Sequence, residues 1–309
     1  MGIDLSVEIG KLKLKTPVLV ASGTFGYEEN YEELIEKNRL GALVTKTITL
    51  NPRPGNPPPR IVETASGILN SIGLQNEGIE EFLDKKLPFL LKFKIPLIVS
   101  IGGERIEDYG LLAKRLDRIK EISCLEVNIS CPNIETEGGC LFAQDCYLTY
   151  GVVKAVREST YKTIIAKLSP NVTDIVSIAQ SAFDGGADAL ALVNTFFGME
   201  IDVQTRRSKL GSLYGGLSGP AIKPIALYMV YKVSKAVNLP IIGMGGIVSA
   251  DDALQFFIAG ATSVAVGTGN FINPQITREI VEGIEEYLKK NKYTSIKDII
   301  GTIDEKTDK

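Results

Sequence analysis

The chain has 309 residues, 44% of them hydrophobic, a formal net charge of −3 and no histidine. This length suits one large α/β domain or two smaller ones, and the weak negative charge without a basic block argues against nucleic-acid binding. The lack of histidine excludes Ser-His and Cys-His catalysis and histidine-ligated metals. Any acid–base chemistry must therefore use Cys, Lys, Asp, Glu or Tyr.

Two further patterns are absent. The amino terminus has no basic segment followed by an apolar one, and no apolar run reaches about 18 residues, so we expect a cytoplasmic chain without a membrane partner. The four cysteines, Cys124, Cys131, Cys140 and Cys146, have no C-x-x-C spacing. The sequence therefore predicts neither a disulfide framework nor a metal site on this chain.

The first predicted element is a short hairpin over residues 4–16. Leu5, Val7 and Ile9 alternate with polar residues, Gly10-Lys11 forms the turn, and the alternation then resumes. Because the hairpin precedes the repeating part of the chain, we expect it to cover the bottom of a barrel.

Eight β-type runs then recur, most of them followed by an amphipathic segment. The predicted strands cover residues 17–23, 42–47, 96–102, 124–130, 163–170, 189–195, 240–246 and 263–269. The predicted helices cover residues 31–38, 79–93, 107–120, 148–159, 172–184, 221–237, 250–259 and about 274–290. Eight strand–helix units of this size predict an α/β fold, a (β/α)8 TIM barrel. We expect a single domain over residues 1–309, with a charged tail at 304–309 that frays.

Three connections are longer than a barrel needs. They cover residues 48–78, 131–147 and 196–219, after predicted strands 2, 4 and 6. All three follow the carboxyl ends of strands, so we expect them to roof the same mouth as lids or binding elements. The proline-rich stretch 51–60 could be a flexible linker, but it lies between two barrel strands, and we favour a stiff lid.

The fourth predicted strand ends on polar and reactive groups. Its apolar residues alternate with Glu126, Asn128 and Ser130, and Cys131 and Asn133 follow at its carboxyl end. In a parallel α/β barrel this end forms the catalytic face. Cys131 could instead be one more small buried residue, as most cysteines are. We favour a functional thiol.

Two lysines, Lys46 and Lys167, lie at the ends of otherwise apolar strands. A buried ammonium is costly unless it is paired, so each lysine requires a partner. A salt bridge with a neighbouring strand and an anionic ligand are both possible, and we favour the ligand.

Glycines follow the last two predicted strands, at Gly245 and Gly246 and at Gly267 beside Thr268. Either cluster alone could be a tight turn. Together, after strands 7 and 8, they predict the phosphate site of such barrels, where backbone N–H groups approach the ligand closely. The amides of Asn70, Asn128 and Asn194 each offer a donor and an acceptor to a planar polar heterocycle.

Five motifs together resemble the class 1 dihydroorotate dehydrogenases, over about Leu5 to Ile300. They are Asn128-Ile-Ser-Cys-Pro-Asn133, Asn70-Ser-Ile-Gly-Leu-Gln-Asn76, Gly215-Gly-Leu-Ser-Gly-Pro-Ala221, Gly243-Met-Gly-Gly246 and Val266-Gly-Thr-Gly269. In the loop after strand 4, Gly138-Gly-Cys-Leu-Phe142 is more similar to the class 1B, NAD-linked catalytic subunit than to the fumarate-using class 1A.

The resemblance implies one FMN per chain and oxidation of dihydroorotate to orotate in pyrimidine (UMP) biosynthesis. Cys131 would be the base that removes the C5 proton, while a hydride passes from C6 to flavin N5. The implied FMN contacts are Ser22, Lys46, Thr47, Ser100, Asn128, Lys167, Val193, Gly219, Gly245, Gly246, Gly267 and Thr268. The implied substrate contacts are Lys46, Asn70, Ser71, Ile72, Gly73, Leu74, Asn128, Asn194 and Thr195.

The resemblance also implies partners and leaves alternatives. A homodimer core would join a subunit carrying FAD and a 2Fe-2S cluster in a heterotetramer, which passes electrons to NAD. Two departures from the family pattern are Ser100, where an Asn near the flavin is usual, and Cys140 in the loop after strand 4. The alternatives are a class 1A or related pyrimidine-base flavin dehydrogenase and, further away, a non-redox phosphate-binding barrel.

Overall fold

The computed structural model describes residues 2–25, 32–130 and 142–305. The strands are β1 Val7–Ile9, β2 Leu12–Leu14, β3 Val18–Val20, β4 Leu43–Val44, β5 Ile61–Thr64, β6 Gly67–Asn70, β7 Leu97–Ile101, β8 Ile122–Asn128, β9 Thr163–Lys167, β10 Ala189–Leu192, β11 Phe196–Gly198, β12 Ile201–Asp202, β13 Arg207–Ser208, β14 Gly215–Ser218, β15 Ile241–Met244 and β16 Ser263–Val266. The α-helices are α1 Glu32–Lys37, α2 Gly78–Glu81, α3 Leu87–Leu90, α4 Ile106–Asp117, α5 Cys146–Ser159, α6 Ile175–Asp184, α7 Lys223–Ala236, α8 Ala250–Ile258, α9 Gly269–Ile272 and α10 Ile276–Lys290.

Eight parallel strands form the barrel in the order β3-β16-β15-β10-β9-β8-β7-β4. A parallel bridge between Leu19 in β3 and Ala42 just before β4 joins the two edges. The strands are buried on both faces, which explains their nearly continuous apolar sequences. The predicted (β/α)8 barrel is confirmed.

The helices between the strands turn apolar faces to the barrel, and several begin at polar capping residues. The Asp145 carboxylate accepts the Leu148 N–H at the start of α5, and the Ser249 hydroxyl accepts the Asp252 N–H at the start of α8. Each cap satisfies an N–H that has no partner inside its helix. No helix in the described ranges is long and apolar enough to cross a membrane.

One predicted helix is wrong in detail. Residues 79–93 form α2, a π-helical turn at Phe82–Lys86, α3 and a 3₁₀ turn at Leu91–Phe93, instead of one continuous α-helix. Pro88 explains the interruption, because it has no N–H to donate to the carbonyl four residues earlier and its ring clashes there.

The amino-terminal hairpin covers the bottom of the barrel, as predicted. Strands β1 and β2 pair antiparallel, and they bury Val7 and Leu14 against the core. At the turn, Gly10 has a φ of +56°, and a Cβ there would come 2.8 Å from the Thr163 side chain. This close contact with the start of β9 closes the amino-terminal end, so the carboxyl end is the free mouth.

Two of the long connections meet above that mouth. Strands β5 and β6 belong to the first and β11 and β14 to the third, and together they form one antiparallel sheet in the order β11-β14-β6-β5. The prediction that these connections roof one mouth is therefore confirmed for this pair. Most of the connection after β8 lies outside the described residues, which resume at Phe142.

The proline-rich stretch is tied down rather than free. Arg53 and Asn76 exchange two backbone hydrogen bonds of 2.8 and 3.1 Å, and the Asn56 N–H donates to the Ile72 carbonyl at 3.1 Å. These bonds fasten residues 51–60 to the segment after β6, which favours the stiff lid over a linker. Of the charged tail, Glu305 lies 2.6 Å from Lys235, and residues 306–309 are outside the described part.

Candidate active site

A cavity of about 250 Å³ lies between the carboxyl ends of the barrel strands and the antiparallel sheet above them. Its floor comes from the last residues of β8 and β9 and from the segments that follow β3, β4, β10, β15 and β16, and its roof comes from β5, β6 and β14. The cavity is therefore at the end of the barrel where catalytic residues of this fold lie.

The cavity brings together nearly all the residues that the sequence nominated. The predicted FMN contacts that line it are Ser22, Lys46, Thr47, Asn128, Lys167, Val193, Gly219, Gly245, Gly246, Gly267 and Thr268. The predicted substrate contacts that line it are Lys46, Asn70, Ile72, Gly73, Leu74, Asn128, Asn194 and Thr195. Cys131, Asn133 and Cys140 lie outside the described residues.

Two nominated serines lie behind the lining instead of in it. Ser100 is fully buried, and its hydroxyl is 2.9 Å from that of Thr47. Ser71 is also fully buried, and its hydroxyl accepts a hydrogen bond of 2.9 Å from Asn56 and contacts Ser212. The serine side chain is short, so each hydroxyl supports a neighbouring residue and does not reach the cavity.

Thr47 is the centre of a hydrogen-bond cluster in the floor. Its hydroxyl accepts from the Asn128 amide at 2.9 Å and lies 2.9 and 3.3 Å from the hydroxyls of Ser100 and Ser22. Ser22 also donates to the Thr45 carbonyl at 2.8 Å. The cluster fixes the floor between β3 and β8, because each hydroxyl is buried or nearly so and satisfied by the others.

Ser130 connects two amides of the floor. Its buried hydroxyl donates to the side-chain oxygen Oδ1 of Asn128 at 3.2 Å and accepts from the side-chain amide of Asn194 at 2.9 Å. The side-chain oxygen Oδ1 of Asn194 in turn accepts the Thr195 N–H at 2.9 Å. These contacts set the orientation of both amides, so the donor and acceptor that each presents to a ligand are defined. The sequence placed Ser130 at the polar carboxyl end of this strand but did not indicate that it joins these two residues.

The described lining contains two lysines and no carboxylate. Lys46 lies between this cavity and an adjoining one of about 660 Å³. Lys167 lines the cavity and also lies 3.6 Å from the Glu126 carboxylate, with both side chains almost fully buried. The salt bridge with a neighbouring strand therefore exists, but it does not remove Lys167 from the cavity. A lining of this charge suits an anionic ligand.

One end of the cavity presents backbone amides. Within the described chain, the N–H groups of Gly245, Gly246, Gly267 and Thr268 donate to no carbonyl or side chain. Gly246 has a φ of +73°, and a Cβ there would lie 2.9 Å from the Gly219 carbonyl, so only glycine fits. Free amides on tightly turned glycines are the donors that bind phosphate in such barrels.

The rest of the wall is largely apolar, with a few hydroxyls. Its apolar side chains include Ile68, Ile72, Leu74, Val193, Ile222, Met244 and Ile247. The Thr268 hydroxyl donates to that of Ser218 at 2.9 Å and joins the glycine end to the roof. A mainly apolar cavity with few convergent polar groups is typical of cofactor sites.

Several lining residues were missed from the sequence. Ile61, Ile68 and Ser218 reach the cavity from the antiparallel sheet, because the roof forms only when two connections distant in sequence pair. The motif that contains Ser218 was noted, but a loop sequence alone gave no direction for its side chains. Ile222 and Met244 were missed because an apolar residue near a strand end is most often part of the core.

The described cysteines do not contribute to the cavity. Cys124 is fully buried in β8, and burial, followed by the nearby Glu126 carboxylate, raises the pKa of its thiol well above the usual range. It is therefore held as a thiol and is unreactive. Cys146 is exposed at the start of α5 and does not line the cavity.

Comparisons with known proteins identify the family of the chain. The family model described as dihydroorotate dehydrogenase matches residues 4–288. The dihydroorotate dehydrogenase B (NAD(+)) catalytic subunits of Geotalea uraniireducens and Geotalea daltonii are 52% and 53% identical over 300 residues, 97% of this chain and 98% of each relative. The protein of the same name from Thermoanaerobacter pseudethanolicus is 51% identical over 301 residues, 97% of this chain and 99% of that protein. The chain therefore belongs to the dihydroorotate dehydrogenase family.

Proposed function

We propose that this protein is an FMN-dependent, NAD-linked dihydroorotate dehydrogenase that oxidises (S)-dihydroorotate to orotate in pyrimidine biosynthesis. One observation carries the proposal: a single cavity joins free backbone amides at one end to oriented amides and two lysines, with no carboxylate in its described lining. The names of relatives that are about half identical over nearly the whole chain support the same activity.

The residues of the cavity fit FMN. The free amides of Gly245, Gly246, Gly267 and Thr268 would hold the phosphate, and the apolar wall that includes Val193 would contact the flavin ring. Lys167 would add a positive charge beside the ring and favour its reduction. When bound, FMN supplies the acceptor for the hydride that leaves C6 of dihydroorotate.

The substrate is a six-membered ring with two amide groups and a carboxylate, and the remaining polar groups match it. Asn70, Asn128 and Asn194 would bind the ring by donating and accepting at fixed positions, and Lys46 would pair with the carboxylate. The roof strands would exclude water from the reacting carbons. The chain thus contributes orientation and charge complementarity to the reaction.

Cys131 is proposed as the base that removes the C5 proton. The proposal rests on the family resemblance and on the lack of histidine, since this residue lies outside the described part. A cysteine thiol has a pKa of about 8.5, so only a few per cent is thiolate near neutral pH unless the site lowers that value. Without such lowering, the rate would rise with pH through the thiol pKa.

The electron route to NAD is proposed to pass through a second subunit. The relatives are named catalytic subunits, which supports the existence of another chain in their complexes. By family resemblance, that chain would carry FAD and a 2Fe-2S cluster and join a homodimer of this chain in a heterotetramer in the cytoplasm.

The test compares electron acceptors on the purified single chain. The protein should bind one FMN and reduce a dye with dihydroorotate, but it should reduce NAD poorly until the partner subunit is added. Rapid turnover with fumarate would favour the class 1A activity instead. A chain that neither retains nor rebinds FMN would favour the non-redox phosphate-binding barrel and would contradict the proposal.

A further inference from the structure

A buried acid lies in the barrel interior below the floor of the cavity. Glu126 precedes Asn128 by two residues on β8, so both side chains point into the barrel, with Glu126 one layer deeper. Glu126 is 2% exposed, and its Oε1 lies 3.6 Å from Nζ of Lys167. Among the described residues, no donor forms a hydrogen bond to Oε1.

The stability of the fold does not explain this carboxylate. Burial of two charges opposes folding, because each loses its hydration, and well-packed apolar residues in their place are often equally stable or more so. The positions opposite Glu126 on the two adjacent strands are Ile165 in β9 and Ser100 in β7, and the Ser100 hydroxyl is hydrogen-bonded to that of Thr47. An incompletely bonded acid in such a core calls for a role beyond packing.

Lys167 connects Glu126 to the cavity, because it contacts the acid and also lines the cavity. The lysine is opposite Asn128 in the β8–β9 register and lines the cavity, whereas Glu126 approaches it from below. The ammonium is therefore held between the acid and any ligand in the cavity. Its net effect on that ligand depends on how much of its charge the acid offsets, because interactions at these distances are weakly screened in a buried site.

We propose that Glu126 is a positioning residue that fixes the Lys167 ammonium at the cavity floor and offsets part of its charge, so that bound FMN has a lower reduction potential than Lys167 alone would give. The inference rests on the proposed function. Reduction adds negative charge to a flavin, so a nearby cation raises its potential and a nearby anion lowers it. The acid thus limits how strongly the floor favours the reduced cofactor.

The test measures the flavin potential in the FMN-loaded protein by equilibration with a redox dye. Glu126→Gln keeps the shape and an acceptor for Lys167 but removes the charge. We expect the ratio of reduced to oxidised flavin at a fixed potential to rise at least tenfold, which is about 30 mV for a two-electron couple. Glu126→Asp keeps the charge but moves it away from Lys167, so the reduction potential of FMN should rise by a smaller amount than in Glu126→Gln.

A matched control removes a different paired acid. Asp188 forms an ion pair of 2.9 Å with Arg157 and lies just before β10, at the opposite end of the barrel from the cavity. Asp188→Asn should leave the flavin potential unchanged. Thermal unfolding and FMN affinity of every variant separate an effect on potential from a loss of fold, because a merely structural role would lower stability without moving the potential.

An unchanged or lowered potential in Glu126→Gln would overturn the inference. If that variant does not retain FMN, Glu126→Asp decides, and a potential equal to or below the wild-type value then overturns it. Failure of the proposed function is recognised separately, since the wild-type protein would then bind no FMN or would not be reduced by dihydroorotate.

Discussion

Ser130→Ala tests whether the orientation of the floor amides matters for catalysis. The Ser130 hydroxyl makes two hydrogen bonds, of 3.2 Å to Asn128 and 2.9 Å from Asn194, and it is fully buried. Removal of the hydroxyl leaves the side-chain oxygen of Asn128 and an N–H of Asn194 without this partner. Asn128 keeps its bond to Thr47 and Asn194 its bond from the Thr195 N–H, so each amide is held less firmly.

The two hydrogen bonds of Ser130 determine how much stability and activity the substitution should remove. A typical buried hydrogen bond contributes about 1 kcal/mol, so the free energy of unfolding should fall by about 2 kcal/mol. Asn194 keeps a weaker contact of 3.3 Å with the Ser130 carbonyl, which limits the loss. If the same energy is lost from substrate orientation, kcat/KM for dihydroorotate should fall by roughly 10- to 30-fold, since 1.4 kcal/mol corresponds to a factor of ten.

The assay combines chemical denaturation with steady-state turnover of dihydroorotate and a dye. Ser181→Ala is the matched control, because that exposed hydroxyl donates only to the Ser177 carbonyl of its own helix. The control should change the free energy of unfolding by no more than about 0.5 kcal/mol. Wild-type kcat/KM and stability in Ser130→Ala would show that the Ser130 hydroxyl does not orient the two amides.

Four further predictions address the other parts of the site. Cys131→Ser should retain the flavin spectrum but slow dihydroorotate oxidation by about 10² near pH 7, and wild-type turnover would remove this thiol from the mechanism. Lys167→Ala should lose FMN or its reducibility in a titration, and an intact, normally reduced cofactor would count against its assignment. Gly267→Val should fold, because the nearest atom to a Cβ there is 3.7 Å away. The added side chain would fill the phosphate end of the cavity, so the affinity for FMN in a fluorescence titration should fall at least about tenfold. Unchanged affinity would contradict that location of the phosphate. Burial of Asp252 opposes ionisation, but hydrogen bonds from Lys223, the Val248 N–H and Ser249 outweigh it and lower the pKa. The ionised form therefore stabilises the fold above the usual pKa, and this stabilisation is lost in acid. Asp252→Asn should lower the free energy of unfolding by about 2 kcal/mol near pH 7 and by little near pH 2. An equal loss at both pH values would contradict the pairing.

The barrel was predictable because its strands are short, apolar and regularly spaced. The prediction extended most strands too far, as at residues 240–246, where the pairing stops at Met244. The overrun has a physical cause: residues such as Gly245 and Gly246 leave the ladder to face the cavity. The error in strand length therefore coincides with the functional end of each strand.

The roof was only partly predictable. The length of the connections indicated a cover, but the antiparallel pairing of β6 with β14 joins segments about 150 residues apart, and neither has a strong strand pattern alone. Contacts of individual side chains were even harder to predict. Ser100 was nominated by position, yet its short side chain hydrogen-bonds Thr47 behind the lining.

The ion pair below the cavity floor could not be predicted from the sequence. Lys167 was expected to meet either an acid or a ligand, and the barrel interior provides the acid while leaving the lysine on the cavity surface. The register of β8 and β9, which a sequence does not give, determines this arrangement. The same register brings Glu126 close enough to modify the site.

The most direct test of the account is the visible absorption spectrum of the purified chain before and after anaerobic addition of dihydroorotate. We expect a flavin spectrum with one FMN per chain that bleaches on addition of this substrate. A protein that cannot be loaded with FMN, or a loaded protein whose spectrum does not change with dihydroorotate, would contradict it.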